Sequence, residues 1–432
     1  MVSEFLSFVR KAPSAFHAVE EICRLLRGNG FAALNERDDW QLTSGGRYYV
    51  TRNRSSVIAF ALPEEGFSHF QIVASHSDSP MFKLKPLAED VVCGKYLRLN
   101  TERYGGMTMS SWFDRPLSIA GRLLVRENGK LVTKLVDLDR DAALIPNMPI
   151  HFNRDVNDGY KYNAQTDALP LYAQGCEKGR LMADVAQAAG VKADSIAASD
   201  LYLYNRTPGS IWGADDAFFS CPRIDDLECA WTSLRGFLNT KASGHVNVCA
   251  VFDNEEVGSR SKQGADSSFF EDVLHRISAA MGLTESQTRA AIGHSFMVSA
   301  DNAHAVHPNH PEKFDAQNRT YMNEGVVIKH SANQSYTTDA VSAAVFGEIC
   351  AAAGVPVQQF ANRSDTPGGS TLGNLANTHV SMNTVDIGLA QLAMHSAHET
   401  AGTRDVVYMI DALTAFYAAD IRVLEDGVIE LA

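Results

Sequence analysis

The run Val246 to Arg260, VNVCAVFDNEEVGSR, constrains this chain more than any other stretch. It opens as an apolar, β-rich segment and ends abruptly in Asp253-Asn254-Glu255-Glu256. A buried strand that delivers two adjacent carboxylates at its end is costly to build. Crowded carboxylates repel and resist ionisation unless a cation or a proton-transfer task accounts for them. Alone, the stretch reads more readily as an acidic turn after a strand, and the rest of the chain decides.

Two further apolar runs end in the same way. Phe70 to Ala74 (FQIVA) leads into Ser75-His76-Ser77-Asp78, and His294 to Ser299 (HSFMVS) leads into Ala300-Asp301-Asn302-Ala303-His304. In an open α/β sheet, ligand crevices form at the C-terminal ends of the strands. Asp225 heads a segment patterned as a helix to about Leu238, and His395 sits in Gln391 to Glu399, expected to be part of a helix. Singly, His76 is a loop hydrogen-bonder, Asp225 a helix cap, Asp301 a turn residue and His395 a core histidine. Their joint occurrence at corresponding strand ends points instead to a metal centre. Imidazoles with carboxylates suit zinc, with cobalt or manganese as substitutes. There is no CxxC pair, and His398-Glu399 lacks the second histidine of a single-zinc HExxH helix.

At 432 residues the chain is too long for one simple core. Helices are expected at Ser3 to Arg10 and Ser14 to Arg27, then two strands within Arg47 to Leu62. From about residue 86 short alternating runs with turns such as Asn128-Gly129 signal antiparallel β structure, and the α/β texture resumes near 217. The expected organisation is a catalytic α/β domain over 1–85 and 217–432, its mostly parallel sheet covered by helices on both faces, with a β-rich insertion over 86–216. Lys plus Arg number 38 against 51 Asp plus Glu, and a net charge of -13 argues against nucleic-acid or anionic-membrane partners. Seven scattered cysteines suggest reduced thiols in a cytoplasmic protein. No apolar run reaches transmembrane length, and the first thirty residues lack the apolar core of a signal peptide.

Ser75-His76-Ser77-Asp78, Pro222-Arg223-Ile224-Asp225, Phe252-Asp253-Asn254-Glu255-Glu256-Val257-Gly258-Ser259, Ser299-Ala300-Asp301-Asn302-Ala303-His304 and Ala393-Met394-His395-Ser396 together resemble the motifs of the aspartyl aminopeptidases, the M18 metallopeptidases. The resemblance implies two zinc ions bridged by Asp225, with His76 and Asp301 completing one site and Glu256 and His395 the other. Glu255 would be the general base, and Asp78 would orient His76. The family pattern often has Asp-Asn where this chain has Asp225-Asp226.

The resemblance also implies peptide substrates with N-terminal Asp or Glu. Lys329 would pair with the substrate carboxylate and Tyr336 would add a hydrogen bond; a surface lysine is the plain alternative. His151, in Pro149-Ile150-His151-Phe152-Asn153, resembles the segment that reaches a neighbouring subunit's site, against a buried histidine at a strand end. The insertion would then serve dimerisation, with dimers assembled into a tetrahedral dodecamer. His398 is expected one turn from His395 on the same helix face, in a structural role. His307 and His310, in a Pro-rich loop, are not expected to bind metal, and Ser370 or Thr371 is expected near the substrate. The competing functions are a metallo-aminopeptidase or deacylase of other preference, and a non-catalytic, metal-stabilised assembly protein.

Overall fold

The computed structural model describes residues 1–431. Its centre is a nine-stranded sheet in the order Ala32–Leu34, Arg47–Arg52, Ser56–Ala61, Val246–Phe252, Phe70–His76, Phe296–Ala300, Asn383–Gly388, Val326–His330, Val357–Ala361. The four strands from Val246–Phe252 to Asn383–Gly388 run parallel to one another, and antiparallel strands flank them. The α/β architecture with a mostly parallel sheet is therefore as expected.

The apolar runs lack alternation because both faces of the sheet are covered. Successive residues of a strand point to opposite sides. Val73, Cys249, Val251 and Val298 join one core with Phe5, Leu234, Phe346 and Phe416 from helices Val2–Lys11, Ile224–Leu238, Ala340–Ala352 and Asp405–Ala418. Ile72, Ala74, Val248 and Ala250 join the other with Phe270, Val273 and Leu372 from helices Phe269–Ala280 and Leu372–His379. With each fully buried large side chain contributing roughly 1.5–3 kcal/mol, these two layers hold the strands in register.

A second sheet, wholly antiparallel, has the order Lys130–Asp137, Leu117–Glu127, Ile196–Asn205, Met81–Val92, Tyr96–Tyr104, Leu171–Gln174. It grows directly out of the central sheet, because Met81 follows His76 by only a short loop. Its first hairpin returns to the same place, since Tyr104 pairs with Met81. A small third sheet, ordered Ser210–Trp212, Phe218–Cys221, Glu399–Gly402, Ala390–Leu392, Ala303–His304, lies beside the end of the central one.

Three sequence expectations change. Gln391 to Glu399 is not helical: it is strand Ala390–Leu392, a turn, and strand Glu399–Gly402. Ala393 and His395 have φ of 57° and 63°, values a helix cannot accommodate. His395 and His398 therefore share no helix face. His151 lies exposed in an irregular turn rather than buried at a strand end. The helix Leu372–His379 and the central strand Asn383–Gly388 carried no clear periodic signal.

Gly388 ends that strand against the Asp301 segment, whose backbone donates to Ile387 and Leu389 carbonyls. A Cβ on Gly388 would meet the Asp301 carbonyl oxygen at 2.1 Å. Gly388→Ala is expected to lower the unfolding free energy by about 1–3 kcal/mol in denaturant titrations. Gly347→Ala, in an open helix position, is the control and should be neutral or stabilising by about 0.5–1 kcal/mol.

Candidate metal centre

The central strands end level with one another. Phe252 lies opposite His76, Ser75 opposite Val251, and Ala74 opposite Ser299. Parallel register thus brings His76, the Asp253–Glu256 turn and Asp301 to one sheet edge. Asp225 arrives from the buried helix Ile224–Leu238, where it and Asp226 lie outside helical φ/ψ, and His395 arrives from the turn of the third sheet.

The donor atoms converge on Asp225. Its two oxygens lie 3.3 Å from His76 Nε2 and 3.2 Å from His395 Nε2. Asp301 Oδ1 is 3.8 Å from His76 Nε2, and Glu256 Oε2 is 3.3 Å from His395 Nε2. Two clusters result, His76 with Asp225, Asp226 and Asp301, and Asp225 with Glu256 and His395; within each, the donor atoms lie within 4.8 Å of one another. Asp225 belongs to both.

The residues fit cations on chemical grounds. Five carboxylates (Asp225, Asp226, Glu255, Glu256 and Asp301) face two imidazoles. Burial pushes Glu256 well above the usual carboxylate range, and neighbouring Asp225 adds to the shift. For Asp225 burial acts the same way, but His395 and His76 outweigh it and hold this carboxyl low. Asp225 Oδ1 and Glu256 Oε1 are buried without a well-aligned hydrogen bond, although Asp225 Oδ1 approaches His76. Each such atom costs about 1–3 kcal/mol unless something else satisfies it. A divalent cation in each cluster would meet both demands.

Glu255 and Glu256 differ in exposure. The Glu256 side chain is 2% exposed, whereas that of Glu255 is 17% exposed and stands 4.0 Å from His76 Nε2. Burial, assisted by Asp301, Asp78 and Asp225 against the opposing His76, pushes Glu255 up to about 8. Glu255 faces a cavity of about 200 Å³ that Asp225, Asp301, Lys329, Tyr336, Ser370 and His395 also line.

One carboxylate sets the bend between the two glutamates. Asp78 accepts the backbone N–H groups of Glu255 at 3.1 Å and Glu256 at 3.2 Å, and the Tyr104 hydroxyl at 2.6 Å. Its Oδ1 is 3.4 Å from His76 Nδ1. Asn254 turns the chain with φ 65°, and its amide donates to Tyr104. The strand therefore stops alternating, and both glutamates swing to the same edge.

Glu399 plays the matching part on the other side, a role not assigned to it from the sequence. Its buried carboxylate accepts N–H groups from Ile224 at 2.6 Å, Asp225 at 3.2 Å and His395 at 2.8 Å. Burial, reinforced by Asp225, pushes it up to about 8. Tyr104 and Gly105 also went unassigned. A Cβ on Gly105 would lie 3.1 Å from that of Glu256, so this loop packs directly on the centre. The only advance signals were Glu399 beside the His395 motif and the Gly105-Gly106 pair.

The other expected residues divide. Lys329 is buried, not superficial: its Nζ donates to the Asp301 carbonyl at 2.8 Å and lies 5.2 Å from the Tyr336 ring centre. Burial opposes its charge, but Asp301 and Tyr336 hold it above the usual lysine range. Ser370 and Thr371 line the cavity, although Thr371 is tied to Asp386. His151 is not among the residues lining the cavity. His307 and His310 are not among the residues lining it, and His398 approaches Asn205 instead.

A family model described as aminopeptidase I zinc metalloprotease (M18) matches residues 8–417. A "Probable M18 family aminopeptidase 2" of Clostridium acetobutylicum is 46% identical over 423 residues, spanning 96% of this chain and 98% of that protein. The cryo-EM structure of the Ape4 and Nbr1 complex superposes with a TM-score of 0.93 at 33% identity, covering 96% of this chain and 84% of that one. The structure of the S. cerevesiae mApe1 dodecamer superposes with a TM-score of 0.85 at 28% identity, covering 96% and 95%.

Glu399→Gln removes the charge that three N–H groups share while conserving shape. Metal affinity is expected to fall about 10–100-fold, measured as metal retained after dialysis against graded chelator, with the folded circular-dichroism spectrum unchanged.

Proposed function

Because this chain belongs to the M18 family of zinc metalloprotease aminopeptidases, we propose that it is a dinuclear zinc enzyme that removes N-terminal Asp or Glu from peptides. One observation carries the reading: two donor clusters share Asp225 at the mouth of a cavity that also contains a buried lysine. His76 and Asp301 would hold one ion, Glu256 and His395 the other, and Asp225 both. Cobalt or manganese could replace zinc with the same donors. Zinc, when bound, supplies the Lewis acidity that polarises the scissile carbonyl and acidifies the attacking water.

The protein's own groups carry the rest. Glu255, which lines the cavity and stands 4.0 Å from His76 Nε2, accepts a proton as water oxygen bonds to the carbonyl carbon. It then returns that proton to the leaving nitrogen as the C–N bond breaks. Glu256 is too deeply buried for this shuttling. Asp78 keeps the His76 ring aligned and fixes the turn from which Glu255 projects.

Lys329 is the basis for acidic preference. Its Nζ donates to the Asp301 carbonyl at 2.8 Å, with the Asn302 carbonyl at 3.5 Å and Asp301 Oδ2 at 3.6 Å, and it lines the cavity, where a substrate carboxylate would be held by a charge-assisted bond. Tyr336 flanks the same position. His151, on an exposed turn among the exposed Ile150 and Phe152, would enter a neighbouring subunit's site. This belongs to a homo-oligomer of dimers, up to the tetrahedral dodecamer, in which the β-rich 86–216 segment is the dimerising part. None of the described helices is long and apolar enough to cross a membrane. The proposal of a cytoplasmic location rests on the seven unpaired cysteines.

Glu255→Gln is expected to lower kcat about 10²–10⁴-fold while elemental analysis finds unchanged metal per chain; retained activity would refute the assignment. Lys329→Gln should reduce kcat/KM for N-terminal Asp and Glu substrates at least about tenfold more than for neutral ones. Equal losses on a substrate panel would instead leave a metallo-aminopeptidase of different preference.

A further inference from the structure

The strands that carry His76 and the Glu255-Glu256 turn at their C-terminal ends are each preceded by a histidine. His69 precedes Phe70 and His245 precedes Val246, and Phe70 and Val246 are register partners. The Val246 N–H donates to the His69 carbonyl at 3.0 Å, so the two histidines are neighbours at the opposite edge of the sheet. Their ring centres are 5.2 Å apart, and both residues are 1% exposed. Seven residues of strand at about 3.3 Å each put this pair roughly 20 Å from the catalytic edge.

Asp420 joins them from the segment after helix Asp405–Ala418. One donor atom from each of His69, His245 and Asp420 lies within 4.8 Å of the other two. We propose that these three side chains form a separate metal site, taking one divalent zinc-like cation per chain and stapling the chain's C-terminal segment to the start of the two central strands.

The hydrogen bonds around the histidines fit this role. His245 Nε2 lies 3.1 Å from the Tyr417 carbonyl, which can only accept, so Nε2 carries the proton. Nδ1 then holds the lone pair and is buried without a well-aligned hydrogen bond, although Ser243 and Asn247 approach the ring. Gln71 donates through Nε2 to the Phe416 carbonyl and accepts through Oε1 from the Ile421 N–H. His69 Nε2, 3.3 Å from that Oε1, must therefore donate, which leaves its Nδ1 as a lone pair too. A ring whose other nitrogen donates to a carbonyl is the usual arrangement of a metal-binding histidine. Burial and the neighbouring His245 push His69 down to about 4, and burial lowers His245 as well, the direction that favours the neutral form a ligand needs.

The remaining contacts leave room for the ion. Ser68 meets His69 Nδ1 at 2.9 Å, but it is an exposed residue that can turn away. Arg422 pairs with Asp420 through Oδ2. Zinc–nitrogen bonds of about 2.0–2.1 Å would draw tetrahedral donors to about 3.4 Å apart, a closure within side-chain adjustment. Two imidazoles and one carboxylate suit zinc, and equally cobalt or nickel. This site is independent of the catalytic centre, with which it shares no residue.

The test is metal stoichiometry. Protein stripped with chelator is dialysed against buffered zinc, and metal per chain is measured for wild type, His245→Asn and Asp420→Asn. Each variant is expected to hold one equivalent fewer than wild type while keeping wild-type peptidase activity. Equal stoichiometry in wild type and Asp420→Asn overturns the site. Asp420 is half-buried beyond the helix end, so that variant decides the matter even if His245→Asn fails to fold.

Discussion

Four parallel strands ending at one level are the constraint on which the rest of this structure depends. Their register is fixed by two apolar layers, one on each face, because a slip of one residue would turn every buried side chain to the wrong side. Once that register holds, His76, the Asp253–Glu256 turn and Asp301 have no choice but to meet. The site is therefore inherited from core packing, and the cost of crowding its carboxylates is borne by the two cores beneath it.

Register delivers residues to an edge but does not aim them. That falls to two buried carboxylates which accept backbone N–H groups. Asp78 holds Glu255, Glu256 and Tyr104 while facing His76. Glu399 holds Ile224, Asp225 and His395. One clamp ties the second sheet's returning strand to the centre, and the other ties the third sheet to the helix bearing Asp225. The antiparallel sheet is thus part of the site's construction, through Tyr104 and Gly105, as well as an appendage to the α/β body.

The same register has a second consequence at the other edge, where it sets His69 beside His245. The catalytic edge and the proposed distal site occupy opposite ends of the same strand pair. Between them, Gln71 and Tyr417 link the C-terminal helix to the strands through hydrogen bonds to backbone atoms.

Much of this was legible from residues alone. Unbroken apolar runs marked strands buried on both faces, and ionisable groups immediately after three of them marked the functional edge. The resemblance of five motifs in their order was enough to suggest the M18 peptidases and to single out His76, Asp225, Glu255, Glu256, Asp301 and His395, which the fold brings together. What could not be read was geometry created by contacts distant in sequence. The turn that separates Glu255 from Glu256 is set by Asp78, well over a hundred residues earlier. The non-helical conformation at His395 depends on a positive φ stabilised by Glu399, whereas local periodicity suggested a helix. The resemblance singled out Lys329, but residue type alone left a surface lysine open; the Asp301 carbonyl and Tyr336 enclose it only in the folded chain. Periodicity and residue type are local properties, so the sequence by itself determined which strands are buried and which chemistry they carry. Hydrogen bonding and burial between remote segments are not local, so only the tertiary structure decided where each of those groups points.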